Sequence, residues 1–418
     1  MSNPMSRYLA TFLRLRMFEA FRYREFRLLS FGQISGNMGT WMDEVTRGWL
    51  IYELTNSALQ LGLVRGIQLI PFILLSPIAG SAADRYSRRA QLLIAQSLNV
   101  IIYAATAGLV LTGMIRPWHV YVTALLVAVV QVFQQPARSA MISDSVPQEN
   151  LTNAIGLGAL LFNVARIVGP ALAGLVIAAW STGGAFLVQT AFLCLATAWT
   201  LQLRPERRHS MASAAAQKES FGQSIIEGWK FSWRTEPIRA GLIVTALVSL
   251  LIVPFTTLLP VFARDLLGVG PRGQGLLLTA TGCGALISAV LIASAGNRLA
   301  RGMLMLGSSM IYGLVLLIFA ASPWFSLSLV TMVFAGLCHV HANALVMTII
   351  QSHSPAKYRG RTLAIFSMSQ VLTTAGAMLI GVLSVPLGPR GAVAAMSVAG
   401  SLAILTLYVM MPKIRHIK

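Results

Sequence analysis

The chain has 418 residues, of which 56% are hydrophobic and 11% are charged, and its formal net charge is +19. The charged fraction is well below the roughly 25% that is typical of soluble globular domains. The composition therefore excludes an ordinary soluble domain and predicts a protein that crosses a membrane many times.

Apolar segments long enough to cross a bilayer as a helix, which takes about 20 residues, recur along the whole chain. They lie at residues 26–53, 59–83, 90–113, 117–143, 153–180, 183–203, 240–264, 273–296, 302–321, 323–350, 361–386 and 390–411. We therefore expect an all-α membrane protein with twelve transmembrane helices.

Most basic residues fall on one side of these predicted spans. If the N-terminus is cytoplasmic, 24 of the 32 Lys and Arg residues lie in cytoplasmic segments and four lie in outer loops. Because cytoplasmic loops carry an excess of Lys and Arg, this distribution predicts that both termini are cytoplasmic. It also accounts for the positive charge without a nucleic-acid partner.

Residues 1–27 contain six arginines among aromatic and aliphatic side chains. This pattern is typical of a basic amphipathic segment on the inner membrane surface. The segment has neither the short apolar core nor the small-residue cleavage site of a signal peptide, whereas its Arg-rich composition leaves a transit peptide as an alternative.

The first span carries the only two acidic residues that fall at membrane depth, Asp43 and Glu44. Such groups are costly in hydrocarbon and persist mainly where they pair or line a polar path. Asp43 stands four residues before Arg47, which is the favourable order for an ion pair on a helix. We expect one of the two carboxylates to couple transport to protons. The alternative is a pair that only neutralises itself.

Other polar residues inside the spans predict where cargo binds, since they recur at helical spacing. The candidate substrate-binding residues are Gln33, Thr40, Arg47, Gln134, Arg138, Asn163, Arg166, Asn343 and Gln370. A structural role is the alternative for Arg166. His339 and His341 are two residues apart and so point to different faces of a helix, which argues against a metal site there.

The longest polar stretch, residues 204–239, divides the chain into two sets of six spans. Its later part places Phe221, Ile225, Trp229 and Trp233 at helical spacing, which predicts a surface helix on the cytoplasmic leaflet. The expected organisation is an N-terminal six-helix bundle at 28–203, this cytoplasmic linker, a C-terminal six-helix bundle at 240–411 and a cytoplasmic tail at 412–418. Residues 83–89 and 169–174 are echoed at 296–302 and 376–381, and duplicated halves are typical of secondary transporters.

The segment 80–89, GSAADRYSRR, resembles the cytoplasmic loop motif of the major facilitator superfamily. With twelve spans and a long central linker, the resemblance covers the whole chain. The stretches TWMDEVTRGWLIYELTNSALQLGLV, PARSAMISDSVP, LLFNVARIVGPALAGLVI and SPAKYRGRTLAIF resemble the enterobactin-exporter-like and macrolide-efflux-like branch of that superfamily.

The resemblance implies gating roles for two regions. In the superfamily, the acid of the loop motif pairs with basic groups and with a helix N-terminus, whose partial positive charge favours it. Family antiporters also carry a glycine-rich fifth helix, which this chain matches in part. The predicted gating residues are Gly80, Asp84, Arg85, Arg88, Arg89, Gly169, Pro170, Asn297, Arg298 and Arg301. The alternatives are an ordinary positive-inside loop and ordinary close helix packing.

We expect a proton-coupled exporter of a small amphipathic or anionic molecule, a siderophore or a drug. It would work by alternating access, as a monomer, in the bilayer of a bacterial inner membrane. A lipid or lysolipid flippase of the same fold is one alternative, and a non-transporting membrane receptor or assembly factor is another. We expect no enzymatic activity, cofactor or metal, because the sequence offers no catalytic spacing, metal-ligand motif or phosphate-binding loop.

Overall fold

The computed structural model describes residues 16–204, 221–295, 301–412 and 414. Within these ranges the chain is almost entirely helical, which confirms the predicted all-α fold. Residues 1–15 of the predicted amphipathic segment lie outside this range, as do Asn297 and Arg298.

Six long helices come first. They are α1 (Arg24–Thr55), α2 (Ala58–Arg85), α3 (Arg88–Leu111), α4 (Pro117–Asp144), α5 (Leu151–Ala179) and α6 (Thr182–Leu201). Side-chain caps fix two of the starts, since Ser87 accepts from Ala90 N before α3 and Ser181 accepts from Gly184 N before α6. Short 3-10 helices at Arg16–Arg22 and Gln148–Asn150 precede α1 and α5.

Seven more helices follow. They are α7 (Phe221–Arg234), α8 (Glu236–Leu247), α9 (Gly270–Ala295), α10 (Arg301–Ala321), α11 (Phe325–His353), α12 (Ala356–Ser367) and α13 (Ser369–Met410). Beyond α8 the helical path continues to Leu266 with alternating π and 3-10 turns. Pro254 and Pro260 lie in this stretch, and each lacks the N–H that a regular helix would use, so the neighbouring turns adjust.

Ten of the described segments are long and apolar enough to cross a membrane. The last of them, Lys357–Met410, covers two of the predicted spans, which meet where Gly388 takes a φ of 68° between Pro386 and Pro389. Helix α1 is not among the ten, because it is less apolar than the other long helices, yet its 32 residues contain the first predicted span. The ten segments and α1 thus contain all twelve predicted spans.

The helices form two compact units. The first contains Met1–Leu50 and Ile70–His209, and the second contains Ile51–Leu69 and Ser210–Lys418. In the first unit α3 packs against α4 and α6, and in the second α11 packs against α9 and α10. The second unit includes residues 51–69, which the sequence assigned to the N-terminal bundle. The reason is close packing, since a Cβ at Gly62 would lie 2.8 Å from the Ala377 carbonyl oxygen.

The linker and the N-terminal segment contain the helical pieces that the sequence predicted. On α7, Phe231 stacks on Tyr358 of α12 at 4.4 Å between ring centres, while Trp229 and Trp233 are exposed and stack on each other. In the N-terminal segment, Ala20 is buried and packs near the start of α5, while Arg22 is exposed. The membrane placement of both pieces stays a prediction.

Candidate functional site

A buried ion pair lies inside α1, in the first unit. Arg47 Nε donates to Asp43 Oδ2 at 2.9 Å, and Arg47 Nη1 donates to Thr123 Oγ1 of α4 at 2.8 Å. Arg47 is 3% exposed and Asp43 is 9% exposed. The four-residue spacing therefore forms the pair that the sequence predicted, and Thr123 ties it to a second helix.

The surroundings of this pair are aromatic and incompletely hydrogen-bonded. The Arg47 guanidinium lies 5.7 Å from the ring centre of Tyr103 and 5.9 Å from that of Phe186. Asp43 Oδ1 and Arg47 Nη2 are buried without a hydrogen-bond partner among the described residues. The pair therefore keeps one buried acceptor and one buried donor that no described residue satisfies.

The other polar residues of α1 differ in accessibility. Glu44 is half-buried and Thr40 is exposed, with its hydroxyl donating to the Gly36 carbonyl at 3.1 Å. Gln33 is half-buried and donates to the Gly158 carbonyl of α5 at 3.2 Å. Glu44 does not share the Asp43–Arg47 hydrogen bond, so the two adjacent carboxylates occupy different environments.

A second polar cluster joins α1, α3 and α4 of the first unit. Arg138 Nη1 donates to Asn37 Oδ1 at 3.4 Å, and Asn99 Nδ2 donates to Gln134 Oε1 at 3.5 Å. Asn37, Asn99 and Gln134 are buried and Arg138 is half-buried. A Cβ at Gly36 would lie 3.3 Å from Arg138 Nη2, so the guanidinium packs close to this glycine. We name these four residues the amide–arginine cluster.

The predicted residues of α5 line its contact with α1. The guanidinium of Arg166 lies 5.5 Å from the ring centre of Trp41, and Asn163 Nδ2 donates to the Ala159 carbonyl at 2.8 Å. A Cβ at Gly169 would lie 2.7 Å from Trp41 Cβ, so only glycine allows this approach. The neighbouring Pro170 is buried in the same helix.

In the second unit, Asn343 and His339 share a hydrogen bond on α11. Asn343 Nδ2 lies 3.1 Å from His339 Nε2, and the His339 ring meets Tyr312 edge-on at 5.8 Å between ring centres. Gln370 is exposed on α13. These positions belong to another unit than the ion pair and the amide–arginine cluster.

The predicted gating loop is the turn between α2 and α3. Arg88 forms an ion pair with Asp144, the last residue of α4, and Arg89 Nη2 donates to the Leu201 carbonyl at 2.8 Å. The side chains of Asp84 and Arg85 lie outside the described part, and Gly80 is half-buried, with room for a Cβ. In residues 296–302, which echo this loop in the C-terminal half, Arg301 begins α10 and is half-buried.

Sequence reasoning missed several partners that the fold supplies. Asp144 directly follows the predicted fourth span, and an acid among cytoplasmic arginines was the signal that could have found it. Asn37 stands four residues after Gln33, so the polar stripe of the first span should have included it. In the second unit, the Tyr52 hydroxyl donates to Asp265, a contact between distant segments that spacing along one helix does not reveal.

Comparison with known proteins assigns the chain to a family. Residues 16–417 match the family described as transmembrane secretion effector, within the major facilitator superfamily. The multidrug efflux pump Tap of Mycolicibacterium fortuitum is 26% identical over 407 residues, which cover 93% of this chain and 96% of the pump. The staphyloferrin A transporter of Staphylococcus aureus is 23% identical over 346 residues, which cover 82% of this chain and 86% of the transporter.

The fold agrees with this assignment. The crystal structure of a bacterial homologue of the human lysosomal transporter Spinster, in an inward-facing and occupied conformation, covers 99% of this chain and 99% of its own. The TM-score is 0.74 at 14% sequence identity, so this likeness bears on the fold alone. The predicted resemblance is confirmed, and an enzyme is excluded. The chain belongs to the transmembrane secretion effector family and is a multi-pass membrane transporter of the major facilitator superfamily.

Proposed function

We propose that this transporter is a proton-coupled exporter of a small amphipathic or anionic molecule, such as a siderophore or a drug. It would work by alternating access in a bacterial inner membrane, with both termini in the cytoplasm. One relative is named as a multidrug efflux pump and another as a transporter of staphyloferrin A, and these names support a small-molecule cargo. The asymmetry of the basic residues supports the orientation.

The observation that carries the coupling proposal is the buried pair of Asp43 and Arg47. A carboxylate with one oxygen held by an arginine and the other without a donor can exist in two states. Deprotonated, it holds the guanidinium. Protonated, it loses most of that attraction, because one of the two charges is gone. A proton on Asp43 therefore changes how firmly α1 is held to α4 through Arg47 and Thr123.

Alternating access also needs contacts that form in one state and break in another. On the proposed cytoplasmic side, the ion pair between Arg88 and Asp144 joins the start of α3 to the end of α4. We assign it, with the adjoining Asp84 and Arg85, to a latch that closes and opens with transport. Exposed ion pairs contribute little to stability, typically under about 1 kcal/mol, so such a latch can open readily.

The test uses inner-membrane vesicles turned inside out, in which an exporter concentrates its substrate inside the vesicle. With ethidium and 5-carboxyfluorescein as probes, the wild-type protein should accumulate at least one dye when the vesicle interior is acidic. Asp43→Asn should abolish accumulation driven by the pH gradient, because the amide cannot titrate. Exchange of dye without a gradient should survive, since it requires no net proton movement.

Glu44→Gln is the matched control, because it alters the adjacent residue and leaves the ion pair intact. We expect the smaller loss for this variant. If the double variant Asp43→Asn with Glu44→Gln still concentrates dye in a pH-dependent manner, neither carboxylate carries the proton and the proposed coupling site is wrong.

A further inference from the structure

We infer that the amide–arginine cluster is an anion-binding subsite, in which Arg138 and Asn37 hold a carboxylate group of the cargo. This inference rests on the proposed transport of a small molecule and names the chemical class of that molecule. It places cargo binding and proton binding at different residues, because Arg138 is not the arginine that pairs with Asp43.

The three arginines inside the spans of the first unit are held in different ways. Arg47 is neutralised by Asp43, and Arg166 lies over the ring of Trp41. Arg138 donates to the oxygen of a neutral amide, at the long distance of 3.4 Å, and no carboxylate pairs with it in the part of the chain that the structure describes. Of the three, Arg138 is therefore the cation whose partner among the described residues is a neutral amide oxygen.

A second observation points to the same ligand. The Asn37 amide turns its Oδ1 toward Arg138, because an arginine side chain has donors and no acceptor. The Nδ2 of the same amide therefore does not bond to Arg138. Asn37 Nδ2 is buried and has no acceptor among the described residues. A donor without an acceptor thus stands beside a cation without an anion. One carboxylate would satisfy both, since it accepts from the amide N–H and from the guanidinium.

The alternative is that Arg138 is an ordinary basic residue whose side chain extends toward the cytoplasmic membrane surface. Arg138 lies six residues before the end of α4, or about 9 Å along a helix, which is within reach of that surface for an extended side chain. The guanidinium instead turns sideways to Asn37 of α1. An arginine within a span is costly in hydrocarbon, and a neutral acceptor offsets little of this cost, so a reason other than solvation is needed to hold it there.

The test is a binding titration on the purified full-length protein in nanodiscs of zwitterionic lipid. Fluorescence anisotropy would report binding of 5-carboxyfluorescein, which carries carboxylates, and of rhodamine 6G, a cationic dye with a related ring system. Arg138→Gln should weaken carboxyfluorescein binding at least ten-fold and change rhodamine binding less than two-fold. Arg138→Lys should give an intermediate loss, because it keeps the charge without the two-pronged geometry. Arg272→Gln, at an exposed arginine of the second unit, is the matched control and should change neither.

Asn37→Asp is the sharper variant, because it places a carboxylate where the amide oxygen now meets Arg138. It should abolish carboxyfluorescein binding as strongly as Arg138→Gln while leaving the unfolding temperature at or above that of the wild type. Folding failure therefore cannot explain this result.

Four results would overturn the assignment. Equal losses for both dyes would make Arg138 structural, and no loss, or no carboxyfluorescein binding by the wild type, would remove the anion site. Suppression of binding in nanodiscs of phosphatidylglycerol would identify a lipid headgroup as the ligand instead of cargo. Dye binding with the expected mutant pattern but without export in vesicles would instead count against the proposed function and leave the site standing.

Discussion

Breaking the Asp43–Arg47 pair from either side should destabilise the protein strongly, and removing both partners together should cost clearly less than the sum of the two single losses. At 2.9 Å and an effective dielectric constant of about 20, two unit charges attract by roughly 6 kcal/mol before desolvation is counted. Measured losses on removing one partner of a buried pair are about 3–5 kcal/mol, because the other charge is left uncompensated. We expect about 3 kcal/mol for Asp43→Asn, the low end, since the amide oxygen can still accept from Arg47 Nε.

Removing Arg47 instead of Asp43 should make the free energy of unfolding depend on pH. In Arg47→Met the buried carboxylate of Asp43 has no cation, and it can escape the penalty by taking up a proton. The free energy of unfolding of this variant should therefore rise toward the wild-type value as the pH falls, and drop as the pH rises. The free energy of unfolding of Asp43→Asn should change less with pH than that of Arg47→Met, because neither the amide at position 43 nor Arg47 titrates in that variant.

The assay is reversible unfolding in mixed micelles of increasing SDS fraction, monitored by circular dichroism. It compares the wild type, the two single variants and the double variant Asp43→Asn with Arg47→Met. The double variant should lose at least 2 kcal/mol less than the sum of the single losses, since residues in one buried pair couple by about 0.5–3 kcal/mol. Additive losses within about 0.5 kcal/mol, or a pH-independent Arg47→Met deficit, would show that the two side chains do not form a buried pair in the folded protein.

Two further predictions concern packing and the proposed latch. Gly169→Ala should lower stability by about 1–3 kcal/mol in the same unfolding assay, because its Cβ would lie 2.7 Å from Trp41 Cβ. Gly156→Ala, on the same helix but with nothing within 4 Å, should be neutral or slightly stabilising, and equal effects at the two sites would contradict the described contact. Asp144→Lys should slow dye export in vesicles while changing stability by less than about 1 kcal/mol, and adding Arg88→Glu should restore part of the rate. Unchanged export in the single variant would remove this ion pair from the gating mechanism.

The parts of the fold that depend on one segment at a time were predictable from the sequence. A stretch of about 20 apolar residues has few choices in a bilayer other than a helix, because every backbone polar group must be satisfied within the segment. The predicted span at 90–113 is the helix Arg88–Leu111, and that at 302–321 is Arg301–Ala321. The Asp43–Arg47 pair was predictable for the same reason, since both partners lie on one helix at a spacing that brings side chains together.

Contacts between helices were not predictable in this way. Spacing along a helix shows which residues share a face, but not which face of another helix lies opposite. The sequence therefore gave no sign that Thr123 completes the ion pair or that Asn37 receives Arg138. The grouping of residues 51–69 with the second unit was missed for the same reason, because it depends on close packing between Gly62 and Gly381.

The position of Arg47 argues for coupling through the helix rather than through direct competition. The sequence placed Arg47 among the candidate substrate-binding residues, but Arg47 is 3% exposed and is already bonded to Asp43 and Thr123. If Arg138 and Asn37 receive the carboxylate of the cargo instead, the cargo site and the proton site lie on the same helix, six residues or about 9 Å apart along α1. That distance is too long for one group to displace the other, and short enough for a shift of α1 to disturb both. We therefore expect Asn37→Asp to remove the release of protons from the vesicle interior that carboxyfluorescein triggers with the wild-type protein, while Asp43 and Arg47 remain chemically unchanged.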